Sequence, residues 1–224
     1  MKTIPKLVVF GLVEFVAFGL ILFVPAGTVN YWQAWVFLVV VAVLAWLPAL
    51  YLLRTNPVAL QARIRGGPAA ETRMAQKVVI AGLYSSLAAM VVASALDHRF
   101  GWSRVPTTIC LVGDVVVAVG LSVMGLVVVQ NSYAAATVRV EAGQTVVSTG
   151  LYGLVRHPMY TGNVIMMVGI PLALGSLWGL VFVVPGLIVL ASRIGDEEKL
   201  LRNELEGYRA YTRKVRYRLI PRVW

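Results

Sequence analysis

The chain has 224 residues, of which 59% are hydrophobic and 13% charged, and its formal net charge is +10. Soluble domains carry about 25% charged residues, so this composition excludes an ordinary soluble globule and points to a bilayer. One cysteine, Cys110, excludes an internal disulfide and a cysteine-based zinc cluster. It lies in an apolar run and reads as a buried, inert thiol, while His98 and His157 are too far apart in sequence to suggest a metal site.

The chain opens on Lys2 and Lys6, with no small-residue cleavage site behind them, so the first apolar run is expected to remain as a span. A crossing helix needs about 20 apolar residues. Four stretches meet that length, at about 6–25, 31–53, 77–96 and 106–130. The link PAGTVN is short and uncharged, the link from Arg54 to Lys77 is long and basic, and DHRFGWSRVP is short again. Trp32, Trp35 and Trp102 fall near span boundaries, where amphipathic rings settle.

The apolar stretch at about 162–192 is too long for one span and too short for two full ones. Pro171, Gly175, Gly179, Pro185 and Gly186 interrupt it, which predicts a helical hairpin that enters and leaves on one side. Charge agrees. With a cytoplasmic N-terminus, four spans and a hairpin, 18 of the 20 Lys and Arg fall on the cytoplasmic side, and only Arg99 and Arg104 fall outside. That asymmetry, rather than nucleic-acid binding, accounts for the positive charge. The expected architecture is an all-α multi-pass membrane protein of four transmembrane helices, a C-terminal hairpin and a cytoplasmic C-terminal helix. Residues 1–130 form the transmembrane part, and residues 131–224 form a catalytic core within one structural domain.

Two polar blocks flank the hairpin. GLYGLVRHPMYTGN, residues 150–163, gathers Tyr152, Arg156, His157 and Tyr160. Its glycines and Pro158 alone describe a turn into a helix, with Arg156 snorkelling at the interface. In the tail, Arg193, Glu197, Leu200, Leu201, Glu204, Tyr208 and Tyr211 recur at spacings of three and four, as on one helix face. Alone, that is an amphipathic helix on anionic lipid, with Arg193 and Glu197 as an i,i+4 ion pair. A same-side hairpin brings the blocks together. The result is a cytoplasmic-facing pocket of Tyr152, Arg156, His157, Tyr160, Arg193, Glu197, Tyr208 and Tyr211, suited to a polar, partly cationic cofactor and a lipid-like substrate.

QTVVSTGLYGLVRHPMYTGN followed by SRIGDEEKLLRNELEGYRAYTRKVRYRLIP resembles the isoprenylcysteine carboxyl methyltransferase family of integral-membrane methyltransferases, over about residues 144–221. The resemblance implies S-adenosyl-L-methionine as cofactor. By motif, Gln144, Thr145, Val146, Val147, Tyr152, His157, Pro158, Met159 and Tyr160 fall on the segments lining that site. Glu197 matches the acidic residue that binds the cofactor, and Tyr208 and Tyr211 match the aromatic pair that closes over it. Arg193 matches the arginine assigned to a substrate carboxylate, and Arg156 is the second cation placed in the catalytic role. A further cofactor contact falls near Thr137. The stretch NELEGY departs from the family's Phe-Gly before the first tyrosine.

The physics fits the analogy. Tyrosine faces attract a sulfonium by about 0.5–2 kcal/mol, and a carboxylate holds amino or ribose donors by charge-assisted bonds. An acceptor carboxylate needs no base, whereas an amine or thiol would draw on His157 or Glu197. The expected function is methyl transfer to a lipophilic acceptor that arrives from the bilayer, and the Val/Ala/Arg-rich composition suggests a prokaryotic plasma membrane. An NADPH-dependent reductase of the sterol-reductase type is the alternative, and a non-enzymatic membrane scaffold the third reading. Glu14 and Asp114 fall inside predicted spans, where an ionisable group is either functional or a protonated helix contact.

Overall fold

A computed structural model describes residues 3–65, 67, 71–131, 133, 140 and 143–224. The described residues are helical with no strand. The long helices are α1 (Thr3–Ala26), α2 (Trp32–Thr55), α4 (Met74–Phe100), α5 (Thr107–Gln130), α6 (Pro158–Ala173) and α7 (Val183–Glu204), with short helices α3 (Pro57–Arg65) and α8 (Tyr208–Lys214). Among the described residues, four helical stretches are long and apolar enough to cross a membrane: α2, α4, α5 and the run Trp178–Glu204. Gly11–Ala26 and α6 are shorter apolar helices. Val13, Val16 and Val24 on α1, Val112, Val115 and Val119 on α5, and Val184 and Ile188 on α7 all face outward. A globule in water would bury such rows, whereas lipid solvates them.

The six long helices form a ring, in which α1 packs on α2, α2 on α5, α5 on α6, α6 on α7, α7 on α4 and α4 on α1. The tightest seam joins α5 and α6 and is cut in glycine. A Cβ at Gly113 would lie 2.2 Å from the Ala173 nitrogen, one at Gly120 2.7 Å from the Gly162 carbonyl, and one at Gly169 2.8 Å from the Val117 nitrogen. Without side chains at these points the two backbones touch, and dispersion replaces the hydrophobic drive that lipid cannot supply.

The expected hairpin is present. The α6 helix begins on Pro158 at N1, and Gly175, at φ +70°, starts the turn. A 3-10 segment, Trp178–Phe182, leads into α7. The tip reaches the far end of the ring. There the Tyr31 hydroxyl donates to the Leu174 carbonyl at 2.6 Å, and the Ser176 hydroxyl donates to Asp97 at 2.6 Å. Asp97 also accepts from the backbone and hydroxyl of Ser103, which ties the α4–α5 loop to the tip. The hairpin therefore runs the full depth of the bundle.

Two readings of the sequence need correction. The basic link after Arg54 holds a helix, α3, opened by Pro57 and by an Asn56 side chain that accepts from the Ala59 amide. The tail is not one continuous helix. The α7 helix ends at Glu204, Leu205 turns inward, and Gly207 at φ +80° redirects the chain into α8. The 3.6-residue pattern persists across the break because both helices press their apolar faces on one cluster of Leu205, Tyr208, Tyr211 and Val215.

Candidate functional site

From Val215 on, the chain becomes a strap over the start of α6. The Arg156 and His157 amides donate to the Tyr217 and Arg218 carbonyls, each at 2.9 Å, and the Thr161 hydroxyl donates to the Leu219 carbonyl at 2.8 Å. The first amides of a helix lack internal partners, and Pro158 has no N–H to satisfy. The strap thus fixes the entry to α6 from outside.

Beneath it lies Glu198, which is buried. It takes the Arg156 Nε at 2.6 Å and Nε of Arg218 and Nη2 of Arg202 at 3.2 Å each, with His157 Nε2 3.4 Å away. The Arg156 Nη1 also donates to the Val215 and Arg216 carbonyls. Arg156, placed in the catalytic role from its motif, is thus occupied in joining α6, α7 and the strap.

Against this scaffold opens a cleft of about 860 Å³, counted with its mouth. Of the residues expected there, Gln144, Thr145, Val146, Val147, Tyr152, Arg156, His157, Met159, Tyr160, Glu197, Tyr208 and Tyr211 all line it. Pro158 does not, being buried at the head of α6. Thr137 lies outside the described residues. Asn131, Tyr133, Leu201 and Leu205 also line the cleft. Asn131 follows an apolar run and donates to the Tyr152 hydroxyl at 2.9 Å. No spacing in the sequence linked those two, 21 residues apart.

Burial, with a smaller push from nearby carboxylates, raises the phenol of Tyr208 above its ordinary range. Burial does the same to Tyr152 and Tyr211. All three stay neutral near pH 7. The Tyr211 hydroxyl is held by the Tyr152 carbonyl at 2.7 Å, but that of Tyr208 is buried with no hydrogen-bond partner among the described residues. A buried polar atom left unpaired costs about 1–3 kcal/mol, which a polar ligand in the cleft would recover.

Arg193 is likewise absent from the cleft lining, because it lies behind the cleft wall. It lines a second, largely apolar cavity of about 1110 Å³, counted with its open side, among α3, α4, α5, α6 and α7. Met159 and Tyr160 line both cavities. The Arg193 Nε donates to the Tyr160 hydroxyl at 2.8 Å, and that hydroxyl donates to Glu197. A chain of two hydrogen bonds therefore crosses the wall from cavity to cleft. Gln76 of α4 supports it from behind by accepting from the Arg193 Nη1 at 3.0 Å.

Residues 108–206, which run from the start of α5 through α7, match the family model described as phospholipid methyltransferase. That segment, somewhat under half of the chain, is similar to a family of membrane methyltransferases. The isoprenylcysteine carboxyl methyltransferase resemblance points to this same family. The matched segment includes the glycine seam, the hairpin and most of the cleft, while α1 to α4 and the strap lie outside the match. The chain is also similar to the Delta(14)-sterol reductase TM7SF2 of Mus musculus, 31% identical over 91 residues. That stretch is 39% of this chain and 22% of the reductase, so the chain spans under a quarter of that relative's length.

Of the acids inside the apolar helices, Glu14 lies on an exposed face of α1 and Asp114 is buried with neither carboxylate oxygen bonded among the described residues. Neither lines either cavity. Cys110 is buried as expected, and no group of three metal-ligating side chains occurs among the described residues.

Proposed function

We propose that the chain transfers a methyl group from S-adenosylmethionine in the cleft to the polar head of a lipophilic acceptor in the second cavity. The observation that carries this is the shared wall. Met159 and Tyr160 separate a polar, tyrosine-rich cleft from an apolar cavity, and the Arg193–Tyr160–Glu197 chain runs through the wall. The residues fit the cofactor. Glu197 offers a carboxylate to amino or ribose donors, the neutral tyrosines offer ring faces to a cation, and the unpaired Tyr208 hydroxyl offers a hydrogen bond.

When bound, the cofactor supplies an electrophilic methyl on a sulfonium. The chain's part is to hold the two reactants in line, and alignment supplies much of the acceleration in such a reaction. Arg193 holds the acceptor head at the wall while the methionine-rich cavity takes its tail. An ionised carboxylate head would need no base. For an amine or thiol head, His157 stands on the cleft wall, steadied by Glu198. The positive-inside distribution supports a cytoplasmic cleft, with the acceptor arriving sideways from the bilayer.

A second reading, nicotinamide-dependent reduction, draws on the sterol reductase relative. The lining of the cleft argues against it. Its one described arginine, Arg156, is committed to Glu198, and a 2′-phosphate would share the cleft with the Glu197 carboxylate. Calorimetric titration of the detergent-purified protein with S-adenosylhomocysteine and with NADPH tests both readings. Binding of the first alone, lost in Glu197→Ala, is the expected result. Binding of NADPH alone would replace the methyltransferase reading with the reductase.

A further inference from the structure

We propose that the far end of the strap, residues 217–224, inserts into the bilayer interface and binds anionic headgroups there, so that the membrane itself holds the head of α6. The effect on the cleft rests on the reading of that cleft as the cofactor's, and the insertion does not. The sequence sets the chemistry. From Tyr208 to Trp224 the chain carries five arginines, one lysine and no acid, and Arg213, Lys214, Arg216 and Arg222 are exposed. Among these cations stand apolar side chains that the fold leaves uncovered: Tyr217, Ile220, Val223 and Trp224, with Val223 75% exposed.

The backbone gathers them into one patch. The amides of Arg218, Leu219 and Ile220 donate to the Trp224 carbonyl at 2.8, 3.0 and 3.2 Å, and those of Val223 and Trp224 donate to the Ile220 carbonyl. A contiguous exposed apolar patch marks an interaction surface. Aliphatic and aromatic side chains flanked by Arg and Lys are the combination that settles at a membrane interface. Leu219 sets the depth. It is buried with Leu190 and Ile194 of α7, against Leu83, Tyr160 and Val164. Ile188, two residues before Leu190 and so about 3 Å along the axis, belongs to the outward-facing apolar row of α7, and the helix turns acidic at Asp196. The loop is pinned where the apolar surface of α7 gives way to charge.

Charge and continuity select the occupant. A second copy of the chain would bring the same cations against these, and like charges in apposition repel. An anionic bilayer surface instead attracts each cation, by about fivefold in affinity, and the apolar tip continues the outward-facing row of α7.

Short links tie the loop to the site. The Arg218 guanidinium lies 5.1 Å from the centre of the Trp224 ring while its Nε reaches Glu198 at 3.2 Å. The Arg218 carbonyl accepts from the His157 amide, and the Leu219 carbonyl accepts from the Thr161 hydroxyl. Met159 and Tyr160, which line the cleft, lie between those two anchored residues. A loop seated in the interface keeps this wall in register, and a loop lifted into water loosens it.

The test uses the full chain reconstituted at one copy per lipid nanodisc. An environment-sensitive NBD label is placed on Val223→Cys, while the buried Cys110 stays unlabelled. In discs of phosphatidylcholine with phosphatidylglycerol, lipids brominated on the acyl chain are expected to quench the label and aqueous iodide to leave it bright. In pure phosphatidylcholine, or with Arg216→Gln and Arg222→Gln combined, lipid quenching should fall by about half or more and iodide quenching should rise. S-adenosylhomocysteine should bind wild type about fivefold or more tightly in the anionic discs than in the neutral ones. Ile220→Ser combined with Val223→Ser should erase that difference.

Iodide quenching of the label in anionic discs would overturn the insertion. So would lipid quenching that appears only with two copies per disc, which would make the loop a contact between chains. Quenching indifferent to phosphatidylglycerol and to the arginine changes would overturn the headgroup binding. Equal S-adenosylhomocysteine affinity in both lipids would overturn the hold on α6. Failure of wild type to bind S-adenosylhomocysteine in any disc would instead sink the methyltransferase reading, and the label would still decide the insertion.

Discussion

Adjacent on α7 and about 100° apart around it, Glu197 and Glu198 face different neighbours. Glu197 looks into the cleft and accepts the Tyr160 proton donor. Glu198 is sealed beneath the strap with Arg156, Arg202, Arg218 and His157. Their amide variants should therefore separate. Glu197→Gln is expected to weaken S-adenosylhomocysteine binding about tenfold by calorimetry, with little change in Tm. Glu198→Gln removes the charge that compensates a buried arginine, and should cost about 3 kcal/mol or more of stability, seen as a large fall in Tm. Tyr160→Phe removes one oxygen and cuts the chain between Arg193 and Glu197. It should lower kcat about tenfold to a hundredfold by loosening alignment, with a smaller change in KM, in a methyl-transfer assay with the acceptor once found. Equal effects on kcat and KM would place Tyr160 in binding alone.

At the scale of helices, the α5–α6 seam positions the site from a distance. The α6 helix carries Met159 and Tyr160 at its head and is held along its length by the glycine contacts. A Cβ at Gly162 would lie 2.6 Å from the Met124 Cγ and 2.7 Å from the Gly120 carbonyl. Gly162→Val is thus expected to push α6 off α5 and to destabilise the protein by about 1–3 kcal/mol, measured by thermal unfolding in detergent. Because Met124 also lines the second cavity, binding of the proposed acceptor should weaken alongside stability. The hairpin was legible in the sequence because glycine and proline interrupt an apolar run and the charges on both sides share a sign. The α3 helix was not, since nine residues with two arginines and a glutamine show little apolar periodicity. The break at Gly207 was missed because both helices that meet there keep the same face inward.

Taken whole, the bundle is asymmetric end to end. Tyr31, Phe37, Met90, Ile170 and Leu174 close the core toward the hairpin tip, while both cavities lie toward the strap. The family motif gave the residues of the cleft, but it did not reveal that Arg193 stands in a different cavity from Glu197. Four residues on one helix leave them on roughly the same side, and only the insertion of Tyr160 from α6 divides them. Sidedness is open to direct measurement. Cys110 is fully buried, so single cysteines elsewhere report cleanly. Arg99→Cys, beside the tip, and Arg222→Cys, on the strap, are expected to label with impermeant maleimide from opposite faces of sealed vesicles. Labelling from one face would overturn the arrangement of the spans.

The strap has a consequence for biogenesis. Residues 217–219 supply the acceptors that fix residues 156, 157 and 161, about sixty positions earlier. A nascent chain emerges in order, so α6 can be threaded beside α5 well before anything secures its head. Through that interval Arg156 lacks the carbonyls of Val215 and Arg216, and Tyr208 and Tyr211 have yet to be made. The helices up to α7 are thus laid down before the contacts that shape the cleft can form.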